Sequence, residues 1–591
     1  MKVRILSTAP TFCFIGQSDF ARCTFQRDTR SQENLCTLKR HIEPLTTAAE
    51  SVLLQFITSH LNCKGGSKRI LFSLGHKQVG LGYLWLALFS VVLGMVLSIA
   101  MRVQIAHGNA DLLAERYVAL TLLHGSLMVF FVLTAAPQFG FGYFFLPLQI
   151  GANDMAFPLL SGVSFWLTIV SLFTISVSFF LPIHAGMQLW LFGVVLFSIA
   201  AILTSVNFCT TVTDCRTEGM SLTRLPLTVW AWYVTAVLSL LIFAILLAAC
   251  ALLISDWYFA TQFFATRVIS TVSLAAIWQR WFWFFAQAEV YVAMLPCFGI
   301  VSHLVSTFSR RPVWAERAAV LALCAVGVFG FCIWGYHMFS SALNPYSPLV
   351  FSLLASSLGV PASVLLASWL GTIWDGEIHL TTAMLFAIGF ISLFLSGGLS
   401  GLFLARHDIA AAAATDDFVT GHFHLVMGVA ATFAILGALF FWFPKLYGRR
   451  LNETLGKIHF WITFAGVYCI FMPMHWLGLL DRARNVVVVI AAQSPSAARS
   501  FIAAAAIITI SAQAVFIFNF FWSLLRAPDS LRRNPWHATT LEWFLPTPIP
   551  LDDFGRYPPP IYRSAYMYGG RVAGLDFLPQ HVAPERLAKF S

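Results

Sequence analysis

The sequence predicts an all-α integral membrane protein, built as a bundle of twelve transmembrane helices. Three observations predict this fold class: the composition is very apolar, apolar segments of spanning length recur, and positive charge is concentrated in alternate loops. Of the 591 residues, 58% are hydrophobic and 10% are charged. A soluble domain carries about 25% charged residues, so most of this chain is expected to face lipid or other helices.

Twelve apolar segments are each long enough to cross a hydrocarbon core roughly 30 Å thick. They are predicted at 79–104, 117–146, 158–182, 187–207, 226–255, 275–304, 318–340, 347–370, 379–405, 419–443, 457–480 and 500–526. The chain is therefore divided into a polar N-terminal extension, the membrane bundle and a Pro-rich tail, at 1–75, 76–526 and 527–591. The extension lacks the pattern of a signal peptide. The tail contains PTPIP and PPP, which favour an extended strap over a helix.

The net charge of +10 follows from the topology. If both termini lie inside, the inner loops carry most of the positive charge: Arg216, Arg224, Arg310, Arg311, Arg317, Lys445, Arg449, Arg450 and Lys457. Such an excess on the inner side is the usual pattern of membrane proteins. The basic balance thus requires no nucleic-acid partner, and we predict none.

Ionisable side chains inside the apolar segments are the first candidates for function, since each costs about 2.5–3.5 kcal/mol at mid-bilayer on insertion scales. The candidates are His124, Glu289, His337, His422 and His424. A lone buried histidine is more often a hydrogen-bonded helix contact than a ligand. The pair at 422 and 424 is different, because positions two apart on a helix point about 200° apart. One helix could therefore supply an axial imidazole to each of two hemes.

Ten motifs occur across these segments in a fixed order: HGSLMVFF, GANDMAFPLL, RLPLTVW, WFFAQAEVYVAMLP, WGYHMF, LSGGLSGLFLA, GHFHLVMG, WFPKLYGRRLNETLGKIHFW, PMHWLGL and NPWHATTLEW. In them the chain resembles subunit I of the heme–copper oxygen reductases, the cytochrome c and quinol oxidases, from about Gly75 to the tail. The resemblance implies a twelve-helix bundle within a complex that includes subunits II and III-like. It also implies a bacterial inner membrane or a mitochondrial-type membrane, cytochrome c or quinol as electron donor, and oxygen as a possible substrate.

The resemblance implies two hemes. His124 and His424 match the two histidines that hold a low-spin heme from both faces, which limits such a heme to electron transfer. His422 matches the single ligand of a high-spin heme with one open face. Of the arginine pair near the heme propionates, only Arg484 is retained, and Asn485 follows it.

The copper site of the family is altered. Where the family has GHPEVY this chain has AQAEVY, so Gln287 replaces a copper ligand, while Glu289 and Tyr291 retain the catalytic positions. The adjacent His-His pair of the family is Tyr336-His337 here. Copper is normally held there by three imidazoles, and a carboxamide is a poor substitute. We therefore do not expect stoichiometric copper.

The proton-path and magnesium positions also differ from the family. Asp154 and Glu289 keep the two acidic positions of one proton path, but the family's asparagines near Tyr143 and in the stretch LLSG are replaced. The lysine of the second path corresponds to Leu365. The His-Asp pair that binds magnesium reads Ala414-Thr415.

Three hypotheses follow. The first is a divergent subunit I-like membrane redox protein that binds two hemes and transfers electrons. The second is an active, proton-translocating oxidase that reduces oxygen at an altered metal site. The third is a heme-free structural or transporter-like bundle, which the three intact histidines disfavour.

Overall fold

Helices form wherever the chain carries a long apolar run, because a backbone in lipid must satisfy its hydrogen bonds within the segment. The computed structural model describes residues 75–106, 114–264, 274–336, 348–406, 408–409, 417–486, 495–526, 532–550, 553–555, 557–568 and 576–583. These residues belong to one compact unit, Lys68–Ser591. The predicted N-terminal extension, apart from its last residue, lies outside the described ranges.

The described residues form fifteen α-helices. They are α1 (His76–Ala106), α2 (Ala114–Ser126), α3 (Phe141–Ile150), α4 (Pro158–Ser178), α5 (Ile183–Asp214), α6 (Leu227–Tyr258), α7 (Leu274–Ser309), α8 (Glu316–Cys332), α9 (Pro348–Ser357), α10 (Gly359–Ile373), α11 (Thr382–Leu404), α12 (Asp417–Phe423), α13 (Val429–Tyr447), α14 (Glu453–Val486) and α15 (Pro495–Leu525). Neighbours along the chain pack on each other, as α4 does on α5 and α6 on α7, and α11 packs on α13. The predicted all-α membrane bundle is confirmed.

Within the described ranges, eleven helical segments are long and apolar enough to cross a membrane, the shortest having 21 residues. Three of them contain more than one element, such as Pro348–Ile373, which joins α9 and α10. The predicted segment 318–340 corresponds to α8, which has 17 residues. It is followed by residues 337–347, which lie outside the described ranges.

Two π-helical segments interrupt the regular helices. One, Leu127–Gly140, lies between α2 and α3, and the other, His424–Gly428, lies between α12 and α13. π-Helical turns are rare and are found frequently at functional sites. The first follows the helix of His124 directly, and the second begins at His424. Both lie beside residues that the sequence singles out.

The described part of the tail packs against the ends of α1, α3 and α13. Asp553 accepts hydrogen bonds from His76 Nε2 at 2.8 Å and from Lys77 Nζ at 2.5 Å. Glu542, in a short 3₁₀ turn at Leu541–Phe544, accepts one from Gln149 at 3.1 Å. Polar side chains that would be costly to bury alone are thus hydrogen-bonded at this end of the bundle.

Candidate functional site

His124 lies in the last turn of α2 and is held by α1. Its Nδ1 is 2.9 Å from the carbonyl oxygen of Gly94. A carbonyl can only accept a hydrogen bond, so Nδ1 must carry the proton of the neutral ring. The lone pair of His124 is therefore on Nε2.

His424 begins the second π-helical segment, and its Nδ1 is 2.8 Å from the carbonyl oxygen of Thr420. The ring stacks on Phe471 of α14, with centroids 4.7 Å apart and planes 14° from parallel. His424 lies within range of electrostatic interaction with His124 and Arg102. The two histidines predicted to share one heme are thus in the same part of the bundle.

His422 contacts a different helix. Its Nδ1 is 2.9 Å from the carbonyl oxygen of Gly397 and 3.0 Å from Ser400 Oγ, both on α11. A Cβ at Gly401 would lie 2.9 Å from Cε1 of His422, so a glycine is needed for the ring to approach α11 this closely. The neighbouring histidines of GHFH therefore contact separate helices, α11 and α14.

His124, His422 and His424, called the histidine cluster below, share one arrangement. In each, Nδ1 is bonded to a backbone carbonyl, which leaves the lone pair on Nε2. Histidines that ligate metals usually donate their other N–H to a carbonyl or carboxylate, which fixes the tautomer and the ring orientation. The donor set therefore fits a cofactor with imidazole axial ligands, such as heme.

The sequence analysis assigned the altered copper site to a set of residues that includes Gln287, Tyr291 and Tyr336, called the tyrosine cluster below. Gln287 Nε2 donates to Tyr291 Oη at 3.3 Å, one turn further along α7. Tyr336 lies within electrostatic range of Tyr291, and a Cβ at Gly330 of α8 would clash with the Tyr291 ring. His337 lies outside the described ranges. Among the residues that are described, no group of three or more His, Cys, Asp or Glu side chains could hold a metal ion.

Glu289 is buried, with 2% of its surface exposed. Thr134 Oγ1, in the first π-helical segment, donates to Glu289 Oε1 at 2.6 Å. Glu289 and Tyr291 are two positions apart on α7, so they point to different sides of that helix. The carboxyl is therefore fixed by a neighbouring segment and is not bonded to the tyrosine cluster.

Polar side chains extend into the bundle from the loop that contains Asp154. That carboxylate accepts from the backbone N–H of Met155 at 2.8 Å. Asn207 of α5 donates to Ser161 Oγ at 2.8 Å. The sequence analysis identified lost asparagines along this route but did not single out Asn207. The polar residues Thr204, Asn207 and Thr211, three and four apart on one face of α5, are the signal that could have found it.

Deeper in the bundle this polar row continues through Tyr143. Its hydroxyl is 3.2 Å from Ser164 Oγ and donates to Thr204 Oγ1 at 3.1 Å. Tyr83 Oη lies 3.1 Å from Thr168 Oγ1. Hydroxyls therefore line the space between α1, α3, α4 and α5, in a region where the sequence analysis expected the loss of polar groups.

The structure gives less information about the remaining residues that the sequence analysis named. Leu365 is fully buried on α10. Arg484 is within α14, but its side chain lies outside what the structure describes. Ala414 and Thr415 also lie outside the described ranges.

Four buried histidines of the described residues were not singled out by the sequence analysis, namely His76, His303, His459 and His475. Of these, His475 lies nearest to a candidate ligand. His475 Nδ1 is 2.7 Å from the carbonyl oxygen of Phe471, and its Nε2 is 3.1 Å from Ser400 Oγ. The same hydroxyl contacts His422. The cost of an ionisable side chain at membrane depth is the signal that could have identified it.

Comparison with known proteins identifies the family of this chain. The family model described as cytochrome c and quinol oxidase polypeptide I matches residues 78–513. An alternative cytochrome c oxidase subunit 1 from Bradyrhizobium diazoefficiens is 38% identical over 552 residues, which are 87% of this chain and 93% of that relative. The cytochrome c oxidase subunit 1 of Synechocystis sp. is 34% identical over 504 residues, which are 82% of this chain and 90% of that relative.

A solved structure also matches the fold. It is a cryo-EM structure of a heme-copper terminal oxidase dimer, and the likeness has a TM-score of 0.63 at 14% identity. It covers 81% of this chain and 87% of that chain. The family model and the curated relatives cover most of this sequence, and they confirm the predicted family, the membrane location and the subunit I type of function. The chain belongs to the cytochrome c and quinol oxidase polypeptide I family, the subunit I family of heme–copper oxidases.

Proposed function

We propose that this protein is an electron-transferring subunit I that binds two hemes, with His124 and His424 as ligands of a low-spin heme and His422 as the ligand of a high-spin heme. The observation that carries this proposal is the shared arrangement of the histidine cluster. Each Nδ1 is bonded to a carbonyl at 2.8–2.9 Å. The three lone pairs on Nε2 are therefore available for iron.

The bound hemes would supply one-electron redox chemistry, and the chain supplies their position and surroundings. Hydrogen bonds donated by the three rings to the carbonyl oxygens of Gly94, Gly397 and Thr420 fix the ring orientations. Phe471 covers one face of the His424 ring. Arg484 is proposed to pair with a heme propionate, as the match to the family's motif implies.

We further propose that copper is bound weakly or not at all. Gln287 offers an amide whose nitrogen donates to Tyr291, and a neutral amide is a poor copper ligand compared with imidazole. Tyr336 occupies the position of a second ligand, so His337 would be the remaining imidazole. Loss of two of three imidazoles would disfavour oxygen chemistry that needs copper beside the heme.

The second candidate function is reduction of oxygen with proton uptake, at an altered metal site. Three observations favour it: the hydroxyl row between Asp154 and the bundle interior, the bond from Thr134 to Glu289 at 2.6 Å, and relatives that are named cytochrome c oxidase subunit 1. In this reading Glu289 and Tyr291 retain their catalytic positions. The tyrosine cluster would then contribute to the metal site.

The architecture around this site follows the family. We propose that the segment that contains α8 is the twelfth membrane span, and that both termini lie on the inner side. We propose partners resembling subunits II and III, with cytochrome c or quinol as the donor. The membrane would be a bacterial inner membrane or a mitochondrial-type membrane.

Metal analysis combined with carbon monoxide difference spectra on one purified sample separates these functions. The proposal predicts two hemes per chain, a carbon monoxide-sensitive high-spin heme, copper well below one per chain and slow oxygen uptake. Copper near one per chain with rapid oxygen uptake would establish the second candidate. A sample without a heme Soret band would refute both.

A further inference from the structure

We propose that Ser400 and His475 position His422 and tune it as a heme ligand, through a hydrogen-bonded chain that the other two ligands lack. The inference rests on the proposed heme binding by His422. Ser400 lies on α11 and His475 on α14, so the chain joins two helices to the ligand. Both side chains are buried, with 8% and 9% of their surfaces exposed.

The directions of the hydrogen bonds follow from which atoms can only accept. The Phe471 carbonyl oxygen, 2.7 Å from His475 Nδ1, requires a proton on that nitrogen. In neutral His475 the other nitrogen, Nε2, is therefore an acceptor. The single hydroxyl proton of Ser400 has two acceptors, the Gly397 carbonyl oxygen at 2.7 Å and His475 Nε2 at 3.1 Å. The proposed chain assigns this proton to His475 Nε2. The serine oxygen can then accept from Nδ1–H of His422 at 3.0 Å.

This chain distinguishes His422 within the histidine cluster. His124 and His424 each have one carbonyl acceptor for Nδ1–H, at 2.9 and 2.8 Å. His422 has two acceptors on α11, the Gly397 carbonyl oxygen at 2.9 Å and Ser400 Oγ at 3.0 Å. Donation to the second acceptor draws the Nδ1 proton away from the ring.

Two effects on a bound heme follow. A stronger pull on Nδ1–H raises the basicity of Nε2, and a more basic ligand stabilises the oxidised iron. The two acceptors also fix the rotation of the ring about its Cβ–Cγ bond. Ser400 and His475 are thus positioning residues, since neither is placed to contact the iron directly.

The test compares two variants in the full-length holoprotein, Ser400→Ala and His475→Phe. Readouts are the iron–histidine stretching band of the reduced high-spin heme by resonance Raman and its midpoint potential. We expect the band to move to lower frequency and the potential to rise in both variants. Ser400→Thr, which keeps the hydroxyl, is expected to restore both values.

A matched control is available on the same helix. Ser396 lies one turn before Ser400, and its hydroxyl is 2.7 Å from Tyr468 Oη, also on α14. Ser396→Ala therefore removes a hydrogen bond between the same two helices without touching His422. It is expected to leave the stretching band and the potential unchanged.

The outcomes separate this inference from the proposed function. If the wild-type protein holds a high-spin heme that His422→Ala removes, but Ser400→Ala and His475→Phe leave its band and potential unchanged, the inference is wrong and the proposed function stands. If Ser396→Ala causes the same shifts, the effect belongs to helix packing and the inference is also wrong. A wild-type protein without a high-spin heme overturns the proposed function and this inference with it.

Discussion

The histidine cluster and the tyrosine cluster hold their polar groups in different ways. Each histidine is bonded through Nδ1 to a backbone carbonyl, whereas Gln287 bonds to the side chain of Tyr291. A hydrogen bond from Nδ1–H to a carbonyl oxygen leaves the Nε2 lone pair of the imidazole available. In the tyrosine cluster, the amide nitrogen of Gln287 instead donates to the hydroxyl of Tyr291. This difference supports the proposal that the three histidines serve as heme ligands, whereas Gln287 and Tyr291 contact each other.

The largest expected effect is at the histidine cluster. His424→Ala removes the imidazole that is bonded to the Thr420 carbonyl oxygen and stacked on Phe471. We expect loss of the low-spin heme spectrum, measured by absorption of the reduced protein. His184→Ala is the control, because His184 is exposed and belongs to neither cluster.

Retention of the low-spin spectrum by His424→Ala would contradict the ligand assignment. It would also contradict the functional difference between the two clusters, because the imidazole of His424 would then have no measured role in heme binding. A parallel loss in His184→Ala would attribute the effect to general damage to the protein. The high-spin signal, which depends on His422 in this proposal, is expected to remain in His424→Ala.

The second prediction tests whether imidazoles introduced into the tyrosine cluster make it bind a metal. The double variant Gln287→His with Tyr336→His restores imidazoles at two positions, beside His337. Because imidazole binds copper much better than an amide or a phenol, we expect copper to rise toward one per chain. Elemental analysis of the purified variant measures it, with the heme content as the internal reference.

Single variants sharpen the same test. Gln287→His and Tyr336→His each restore one imidazole, so each is expected to hold less copper than the double variant. If the double variant binds no more copper than the wild-type protein, the substituted ligands are not the cause of weak binding. The tyrosine cluster would then be explained by packing alone.

The third prediction concerns Glu289, which lies between Gln287 and Tyr291 in the sequence and accepts a hydrogen bond from the Thr134 side chain. Thr134→Val removes the donor to Glu289 Oε1 while keeping the shape of the side chain. Hydrogen bonds inside membranes are worth about 0.6 kcal/mol on average and about 1.7 at most. We expect the free energy of unfolding in mixed micelles to fall by an amount in this range.

Thr174→Val is the matched control for this measurement. The hydroxyl of Thr174 bonds to the Val170 carbonyl oxygen of its own helix at 2.6 Å, so its loss leaves no carboxyl without a donor. We expect a smaller change than for Thr134→Val. Equal changes in the two variants would mean that the bond to Glu289 adds nothing beyond the loss of a threonine hydroxyl.

The sequence predicted the helical bundle better than the contacts that hold the candidate site residues in place. Apolar length alone located the membrane helices, since every helix in lipid must satisfy its own backbone. The spacing of His422 and His424 predicted that they contact different parts of the bundle. The π-helical start at His424 could not be predicted, because local hydrogen-bond registers depend on packing between helices.

The sequence also could not predict which side chains form hydrogen bonds with the candidate site residues. Ser400 and His475 are 75 positions apart, and no spacing rule connects them. Asn207 and Ser161 are 46 apart, and their bond depends on how α4 and α5 are rotated. Periodicity indicates which face of a helix is polar, but it does not tell which neighbouring face will meet it.

The fourth and smallest expected effect lies outside the membrane, at Glu542 of the tail. Like Gln287, it is bonded to other side chains, those of Gln149 at 3.1 Å and Trp442 at 3.3 Å. Burial raises the pKa of Glu542 above its usual range, and the hydrogen bonds it accepts oppose this only in part. In the window between the usual glutamate value, about 4.3, and the raised pKa, the folded protein binds a proton that the unfolded chain does not.

The sign of the pH dependence follows from that difference in bound protons. Stability from this group is fully present below the usual glutamate pKa and is lost as the pH rises through the raised value. Glu542→Gln, which cannot ionise, is expected to flatten this part of the stability profile, measured as the thermal unfolding midpoint in detergent against pH. Glu377→Gln is the control, because the Glu377 side chain is 81% exposed, and it is expected to leave the profile unchanged. An unaltered profile in Glu542→Gln would mean that folding does not change the protonation of this carboxyl. The hydrogen bonds from Gln149 and Trp442 would then be enough to hold the ionised carboxylate in its buried position.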